Sequence, residues 1–134
     1  MKRAISIGFA ISMAMFGGFA AAAPDAAVPS PVVSLDSDND QTVDISEMGK
    51  AASDSFDKID NDGDGNVDRA ALGKRMSKDE FKKADTDKDN VLNKNEYFIY
   101  ADSLVRIADE DKDGTLDDKE FKSKEGKKLL GLIQ

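Results

Sequence analysis

The chain of 134 residues repeats one acidic pattern four times, and this repeat constrains its fold more than any other feature of the sequence. The pattern Asp-x-Asp-x-Asp begins at Asp36, Asp60, Asp85 and Asp109, at intervals of 24, 25 and 24 residues. Each occurrence opens a stretch of twelve residues, and the four stretches are 36–47, 60–71, 85–96 and 109–120. A period of this length indicates a small supersecondary unit that recurs along the chain and sets its architecture.

The acidic residues of these stretches are spaced like the ligands of a hard cation. Eighteen of the 27 Asp and Glu residues fall at positions 1, 3, 5, 9 and 12 of the four stretches. Carboxylates this close together repel one another strongly when no cation is present. Calcium takes six to eight oxygen ligands and can draw them from positions 1, 3, 5, 7, 9 and 12 of one short loop. The pattern therefore predicts a calcium-binding protein.

Two further regularities carry a family resemblance. Three stretches close with Glu at position 12, and position 8 is apolar in all four: Val43, Val67, Leu92 and Leu116. With these features, residues 36 to about 125 resemble the EF-hand calcium-binding proteins of the exported bacterial type. The resemblance implies an all-α fold, an array of helix–loop–helix units that share the helices between loops. It also implies that the apolar eighth residues form short β bridges between paired loops.

The resemblance further implies a set of calcium ligands in each loop, with the residue at position 7 contributing its backbone carbonyl. These ligands are Asp36, Asp38, Asp40, Thr42, Asp44 and Glu47 in loop one; Asp60, Asp62, Asp64, Asn66 and Asp68 in loop two; Asp85, Asp87, Asp89, Val91, Asn93 and Glu96 in loop three; and Asp109, Asp111, Asp113, Thr115, Asp117 and Glu120 in loop four. Loop two has Ala71 where the bidentate Glu belongs, so we expect it to bind calcium most weakly. We expect loop four to bind most tightly.

Position 6 of each loop must turn sharply with a positive φ. Gly65 and Gly114 adopt this conformation without steric cost, and Asn90 tolerates it. Gln41 stands at the same position in loop one, where the left-handed conformation should cost about 1 kcal/mol or more.

The N-terminal segment is predicted to direct export. Residues 1–22 have the order of a secretory signal peptide: a positive start, an apolar run over residues 4–20, and small residues before Pro24. Cleavage is predicted after Ala22. The alternative is a single transmembrane anchor. The three glycines within the apolar run make it only a modest candidate for a membrane span. Because the chain has no cysteine, neither a lipid anchor on Cys nor a disulfide framework is expected. We therefore expect a periplasmic or secreted protein.

The mature chain is predicted to begin with a Pro- and Ala-rich lead-in over residues 23–35, extended and flexible. Only four residues separate Pro31 from Asp36, so no helix is expected to enter loop one. Residues 36–134 then form the EF-hand domain with its four loops. The formal net charge of −8 becomes two units more negative once Lys2 and Arg3 are removed.

Apolar spacing predicts the helices between the loops. The first is predicted from Ile45 to Ile59, and the third, over residues 97–108, is apolar over most of its circumference and should be the most buried. In the second connector, Gly73 and the capping-box pair Ser77 and Glu80 favour a bend near residues 73–77, although one continuous helix is the alternative.

Two further expectations concern the arrangement of the loops and the end of the chain. If each connector is one straight helix, neighbouring loops lie at its opposite ends, so loop one should pair with loop three and loop two with loop four. A last helix is expected to begin at Phe121, with a possible interruption at Gly126. The apolar tail over residues 129–133 should pack into the core or dock on a partner.

These observations favour a calcium buffer or sensor. The alternative is a calcium-stabilised interaction module that binds an unidentified protein partner. An enzyme is not expected, because the chain has no His and no Cys, and its acids and lysines form no constellation apart from the loops. No basic patch is visible, so nucleic acid is not an expected partner. No membrane association is expected after cleavage of the signal peptide.

Overall fold

A computed structural model of the protein describes residues 30–134, of which 57% are helical. The elements in chain order are α1 (Pro31–Leu35), α2 (Ile45–Ile59), β1 (Asn66–Asp68), α3 (Arg69–Leu72), α4 (Lys78–Ala84), β2 (Val91–Asn93), α5 (Lys94–Ala108), α6 (Asp118–Phe121) and α7 (Lys124–Ile133). The described part of the chain is thus mostly helical, with one small sheet of two strands. The predicted signal peptide and residues 23–29 of the lead-in lie outside the described residues. No helix among those described is long and apolar enough to span a bilayer.

A short helix precedes loop one, which corrects the expectation of an extended segment there. Pro31 begins α1, and the Ser30 hydroxyl accepts the N–H of Val32 at 3.2 Å. Proline at the first helical position is already fixed near helical φ and loses no hydrogen bond. One turn suffices to bury Val32, which is 5% exposed. The Ser-Pro pair was the sequence signal for this helix.

Two fifteen-residue helices, α2 and α5, form the frame of the molecule. The bounds of α2 confirm the prediction, and its apolar residues at helical spacing are buried, with the exception of the exposed Ile45. Helix α5 buries one face, but Ile99 and Ile107 on its other side are 55% and 61% exposed. With six of its fifteen residues buried against five of fifteen in α2, α5 is the more buried of the two long helices, as expected, although its apolar surface extends beyond the buried face. Its apolar residues exceed what one face can pack.

The predicted bend in the second connector is present. Helix α3 ends at Leu72, and Gly73 follows with φ of +56°, a conformation that glycine adopts without steric cost. Helix α4 begins after Ser77, whose hydroxyl accepts the N–H of Glu80 while the Glu80 carboxylate accepts the N–H of Ser77. The second connector is thus two short helices joined at an angle.

The bend decides which loops pair, and the predicted pairing is wrong. Val67 of loop two lies opposite Leu92 of loop three in the antiparallel β1–β2 sheet. Val43 of loop one forms a bridge with Leu116 of loop four, with N–H···O distances of 3.0 and 2.9 Å. Because the chain turns back between α3 and α4, loops two and three meet. Helices α2 and α5 then run antiparallel and carry loops one and four to the opposite end. The expected β bridges between position-8 residues are confirmed, with different partners.

The C-terminal helix α7 completes the core. Leu129, Leu132 and Ile133 are buried among residues of α2 and α5, which confirms that the tail packs on the protein itself. The break in the last helix occurs at Ser123 and not at Gly126. Gly126 is buried, and a Cβ there would lie 2.7 Å from Phe121 Cα and closer still to the Glu120 carbonyl oxygen.

The end of α7 is fastened by a small polar network. The Leu132 carbonyl accepts hydrogen bonds from the Tyr97 hydroxyl at 2.7 Å, the Ser55 hydroxyl at 3.0 Å and the Arg75 guanidinium at 3.3 Å. Carbonyls in the last turn of a helix have no partner within the helix. Residues of α2, α5 and the bend therefore meet at one carbonyl of α7.

The fold also brings basic residues together, contrary to the expectation of no basic patch. Six of them line one surface depression of about 640 Å³, which we call the basic depression: Arg69, Lys74, Arg75, Lys78, Lys127 and Lys128. They come from two stretches that are distant in sequence, residues 69–78 and 127–128, so the sequence alone does not indicate that they form one cluster.

Candidate metal centres in the four loops

The four loops share one backbone conformation. Position 6 has the expected positive φ in every loop, from 69° at Asn90 to 90° at Gly114, and Gln41 adopts it at 73°. Position 4 also has a positive φ, which the sequence reasoning missed: the residues are Asn39, Gly63, Lys88 and Lys112. Asn39 and Gly63 were weak signals for this second turn, but the two lysines obscured it.

Backbone N–H groups of each loop point inward to its carboxylates. The Asp at position 1 accepts the N–H of position 6, at 2.9 Å from Gln41 to Asp36 and at 2.9 Å from Gly65 to Asp60. The Asp at position 5 accepts the N–H of position 7 in all four loops, at 2.8–3.0 Å. The predicted carbonyl ligands Thr42, Asn66, Val91 and Thr115 occupy that seventh position. These bonds curl the backbone around the acidic side chains.

Positions 9 and 12 close three of the loops. The side chain at position 9 caps the following helix, and the Glu at position 12 accepts the N–H of position 9, which forms a capping box. The other oxygen of the same Glu accepts the N–H of position 2, at 2.8 Å in Thr86–Glu96 and 2.9 Å in Glu110–Glu120. Each Glu therefore joins the start of its loop to the end.

Hydroxyl groups near these carboxylates are contacts that the sequence reasoning missed. Ser37 and Thr86 at position 2 donate to Glu47 and Glu96 at 2.7 and 2.8 Å. The Thr42 and Thr115 hydroxyls donate in the same way to the position-5 Asp of their loops. Thr42 and Thr115 lie two places from the carboxylate that they contact, which was a local sequence signal, whereas Ser37 and Thr86 lie ten places from theirs.

Part of each predicted ligand set converges. The groups whose carboxylate oxygens lie within 4.8 Å of one another are Asp36, Asp38 and Asp40; Asp60, Asp62 and Asp64; Asp85, Asp87 and Glu96; and Asp109, Asp111 and Glu120. The other predicted side-chain ligands are not in these groups: Asp44, Glu47, Asp68, Asp89, Asn93, Asp113 and Asp117. Four groups of acidic residues can thus hold a metal ion, an arrangement compatible with EF-hand-like loops.

Two carboxylate oxygens in loops three and four provide a test of whether a cation fits. Asp85 Oδ1 and Asp109 Oδ1 are buried and have no hydrogen-bond partner among the described residues. Each belongs to a carboxylate at position 1, and each lies near a buried Glu: Glu96 is 4% exposed and Glu120 is 6% exposed. A buried acceptor without a partner costs about 1–3 kcal/mol, and more when charged. A cation bound between these oxygens would remove that cost.

The loop charges are not neutralised by basic side chains. None of the five salt bridges among residues 30–134 involves a carboxylate at a ligand position. Desolvation, together with the charge of the neighbouring carboxylates Asp40 and Asp89, raises the pKa of Asp38 and of Asp87. Burial also raises the pKa of Glu96, but the hydrogen bonds that it accepts from Thr86 outweigh burial and leave it below the ordinary value.

Loop two differs from the other three at its closing position. Ala71 is exposed, and its N–H donates to Asp68 at 2.7 Å, so the helix cap remains. The carboxylate that joins the start and the end of the other loops is missing here. A cavity of about 330 Å³ lies at this position, bounded by Asp60, Asp62 and Asp64. The loop keeps its backbone conformation with fewer oxygens for a cation.

No protein-family model and no curated protein matches this chain.

Proposed function

We propose that the protein binds calcium ions in EF-hand loops and acts outside the cytoplasm as a calcium buffer or sensor. The observation that carries the proposal is the pair of buried, unpartnered oxygens, Asp85 Oδ1 and Asp109 Oδ1, each beside a buried Glu. Loops one, three and four supply the sites, and loop two, without Glu at position 12, supplies a weak one. In this proposal the protein is not an enzyme.

Calcium is favoured over other metals by the chemistry of the donors. All of the side-chain donors are oxygens, mainly carboxylates, and the chain has no His or Cys to attract a softer ion. A Glu at position 12 offers two oxygens to one ion, which suits the larger and less rigid shell of calcium. Magnesium requires near-ideal octahedral geometry and gives up its water reluctantly.

Calorimetry and thermal unfolding of residues 23–134 test this proposal. With dissociation constants of roughly 10⁻⁴ to 10⁻³ M, as in exported modules, about 1 mM calcium should stabilise the fold by about 0.4–1.4 kcal/mol per site. We expect about three firm sites and a smaller rise in Tm with magnesium. A Tm that is the same in chelator and in about 5 mM calcium, well above those constants, would contradict the proposal.

A matched pair of variants connects the binding to loop four. Asp109→Asn removes the charge at the unpartnered oxygen and should abolish one calcium site. Glu110→Gln removes the same charge from an exposed neighbour and should keep every site. The metal-free Tm of Asp109→Asn should not fall, because a buried charge has been removed. Equal loss of binding in both variants would mean that general negative charge, and not the loop, attracts the ion.

The alternative, a calcium-stabilised interaction module, has one observation in its favour. An apolar groove of about 380 Å³ lies between α4, α5 and α7, and the exposed Ile99 and Ile107 line it together with the predicted ligand Glu96. Dye fluorescence for apolar surface that rises with calcium and falls in Ile107→Ser would favour this module. Dye binding independent of calcium would favour the buffer.

Export is part of the proposal and has its own test. Expression of the full chain in a bacterium should give a mature protein that begins at Ala23 in the periplasm or the medium. Mass spectrometry of the recovered protein identifies this N terminus, and an uncleaved, membrane-bound chain would instead support the anchor.

A further inference from the structure

The basic depression concentrates positive charge on an otherwise acidic protein. It is lined by six of the 17 basic residues in residues 30–134. Its one acidic residue, Glu80, is already paired with Lys128 at 2.9 Å. Four further cations of the lining form no salt bridge within the described part of the chain: Arg69, Lys74, Lys78 and Lys127. The lining residues therefore keep an excess of positive charge.

Tertiary contacts hold these residues around a common space. The Arg75 guanidinium is held by the hydrogen bonds that it donates to the Leu132 carbonyl at 3.3 Å and to the Ser55 hydroxyl at 3.4 Å. The Lys128–Glu80 pair ties α7 to α4 across one side. Gly73 and Gly131 line the depression without side chains, which leaves it open. The charges thus belong to a supported surface and not to a disordered tail.

We propose that the basic depression binds a small polyanion with clustered tetrahedral oxyanion groups, such as phosphates or sulfates. The depression's volume of about 640 Å³ lies within the range of small-molecule sites, about 300–1,000 Å³. Four of its six cations are lysines, which bind phosphate as point charges, and the other two are arginines, whose guanidinium groups also suit phosphate oxygens. The inference is independent of calcium binding by the loops.

The lining argues against a protein partner at this surface. The buried centre of a protein interface is largely apolar and is depleted of Lys, which makes up four of the lining residues here. The large exposed apolar residues of the described chain are Val33, Ile45, Ile99 and Ile107, and none of them lines the basic depression. Met76 does line it, but it is only 3% exposed. Recognition at this surface therefore rests on charge.

The test uses sucrose octasulfate, a compact polyanion that carries eight sulfate groups, added to the calcium-loaded mature chain. We expect binding by calorimetry in about 20 mM NaCl that weakens markedly in about 150 mM NaCl, as charge–charge binding does. Amide NMR signals of Gly73, Lys74 and Lys127 should shift. Lys74→Gln/Lys78→Gln/Lys127→Gln should weaken binding by about tenfold or more.

The control variant is Lys50→Gln/Lys58→Gln/Lys122→Gln, which makes the same change of charge at exposed residues outside the depression. It should retain most of the affinity. Thermal unfolding of both variants verifies that they are folded. No binding in low salt, or an equal loss of affinity in both triple variants, would overturn the proposal and leave the calcium proposal unaffected.

A second experiment distinguishes lipid headgroups from soluble molecules as the source of the oxyanion groups. Vesicles of equal parts phosphatidylcholine and phosphatidylglycerol replace the octasulfate, and sedimentation measures the bound protein. Vesicle binding that is lost only in the variant of the depression assigns the site to lipid headgroups. Octasulfate binding without vesicle binding assigns it to a soluble phosphorylated or sulfated molecule.

Discussion

At the scale of single residues, the Glu at position 12 of three loops has two structural roles besides its predicted role as a ligand. In loops one, three and four its carboxylate accepts the N–H groups of positions 2 and 9, as Glu96 does from Thr86 and Asn93. One side chain thereby closes the loop and caps the next helix. Loop two shows the two roles separately, since Asp68 caps α3 without any carboxylate at Ala71.

Ala71→Glu should convert loop two into a full calcium site. The new carboxylate can reach the loop as Glu47, Glu96 and Glu120 do, and it adds two oxygens to the group of Asp60. We expect calorimetry to show one additional firm site, or an affinity at loop two raised by about tenfold or more. Ala70→Glu is the matched control, since the same charge on the neighbouring exposed residue lies outside the predicted ligand set. If both variants gain equally, the weakness of loop two has another cause.

The carboxylate of Glu80 should give the fold a pH dependence in acid. The hydroxyl and N–H of Ser77 and the ammonium of Lys128 lower the pKa of Glu80 to about 2, from an ordinary value of 4.5. A lowered pKa means that this contribution to stability is fully present above pH 4.5 and is lost as the pH falls towards about 2.

Urea unfolding without calcium, with the wild type and Glu80→Gln compared over this pH range, measures the effect. The variant should be less stable at pH 6 (about 1.5 units above the ordinary pKa), and the difference should close as the medium becomes acidic. Glu125→Gln is the control, because the Glu125 carboxylate is in no hydrogen bond or salt bridge among residues 30–134. A difference for Glu80→Gln that is constant with pH would contradict the assignment.

At the scale of elements, α7 depends on close backbone contact with α6. Gly126 lies against the backbone of Glu120 and Phe121, where a Cβ has no space. Glu120 is the closing residue of loop four, so the same contact joins the C-terminal helix to a predicted calcium site. The helix is also held at its other end by the three donors on the Leu132 carbonyl.

Two alanine substitutions in the same helix should therefore have opposite effects. Gly131→Ala has open space for its Cβ and should stabilise the protein by about 0.5–1 kcal/mol through helix propensity. Gly126→Ala forces the backbones apart and should destabilise it by about 1–3 kcal/mol, with a weaker loop four. Urea unfolding and calcium calorimetry measure both effects. Stabilisation by both substitutions would show that α7 can move away from α6 at little cost.

At the scale of the whole molecule, the two pairs of loops lie at opposite ends of an antiparallel pair of helices. Phe56 of α2 and Tyr97 of α5 pack edge to face, with ring centroids 5.4 Å apart. Near the end that carries loops two and three, Lys94 forms a salt bridge with Asp57 at 2.7 Å. Val43 and Leu116 join loops one and four at the other end. Ion binding at one loop should therefore act mainly on its bridged partner.

Glu120→Gln and Glu96→Gln form a reciprocal test of this coupling. In calcium, Glu120→Gln should reduce the exchange protection of the Val43 amide, which donates to Leu116 at 3.0 Å, and leave Val67 protected. Glu96→Gln should loosen Val67 through β1–β2 and spare Val43. Hydrogen exchange followed by NMR measures both amides. Changes confined to the substituted loop, or the same pattern in both variants, would reject pairwise coupling.

The sequence alone determined what depends on near neighbours in the chain. Ligand-type spacing, positive φ at position 6, the bounds of α2 and the capping box at Ser77 involve residues only a few positions apart, whose geometry the backbone fixes locally. The same local logic identified Ala71 as the defect of loop two. It failed for α1, which begins at the Ser30-Pro31 pair.

Tertiary structure decided everything that required distant segments to meet. The angle at Gly73 is not encoded in any spacing, yet it determines that loop two meets loop three and that loop one meets loop four. The same turn brings Arg69, Lys74 and Lys78 beside Lys127 and Lys128 of α7. Burial of Glu96 and Glu120, and the isolation of Asp85 Oδ1 and Asp109 Oδ1, likewise depend on helices packing around the loops. Contacts between residues far apart in the chain arise only when the core closes, because the same local pattern is compatible with more than one way of packing its helices.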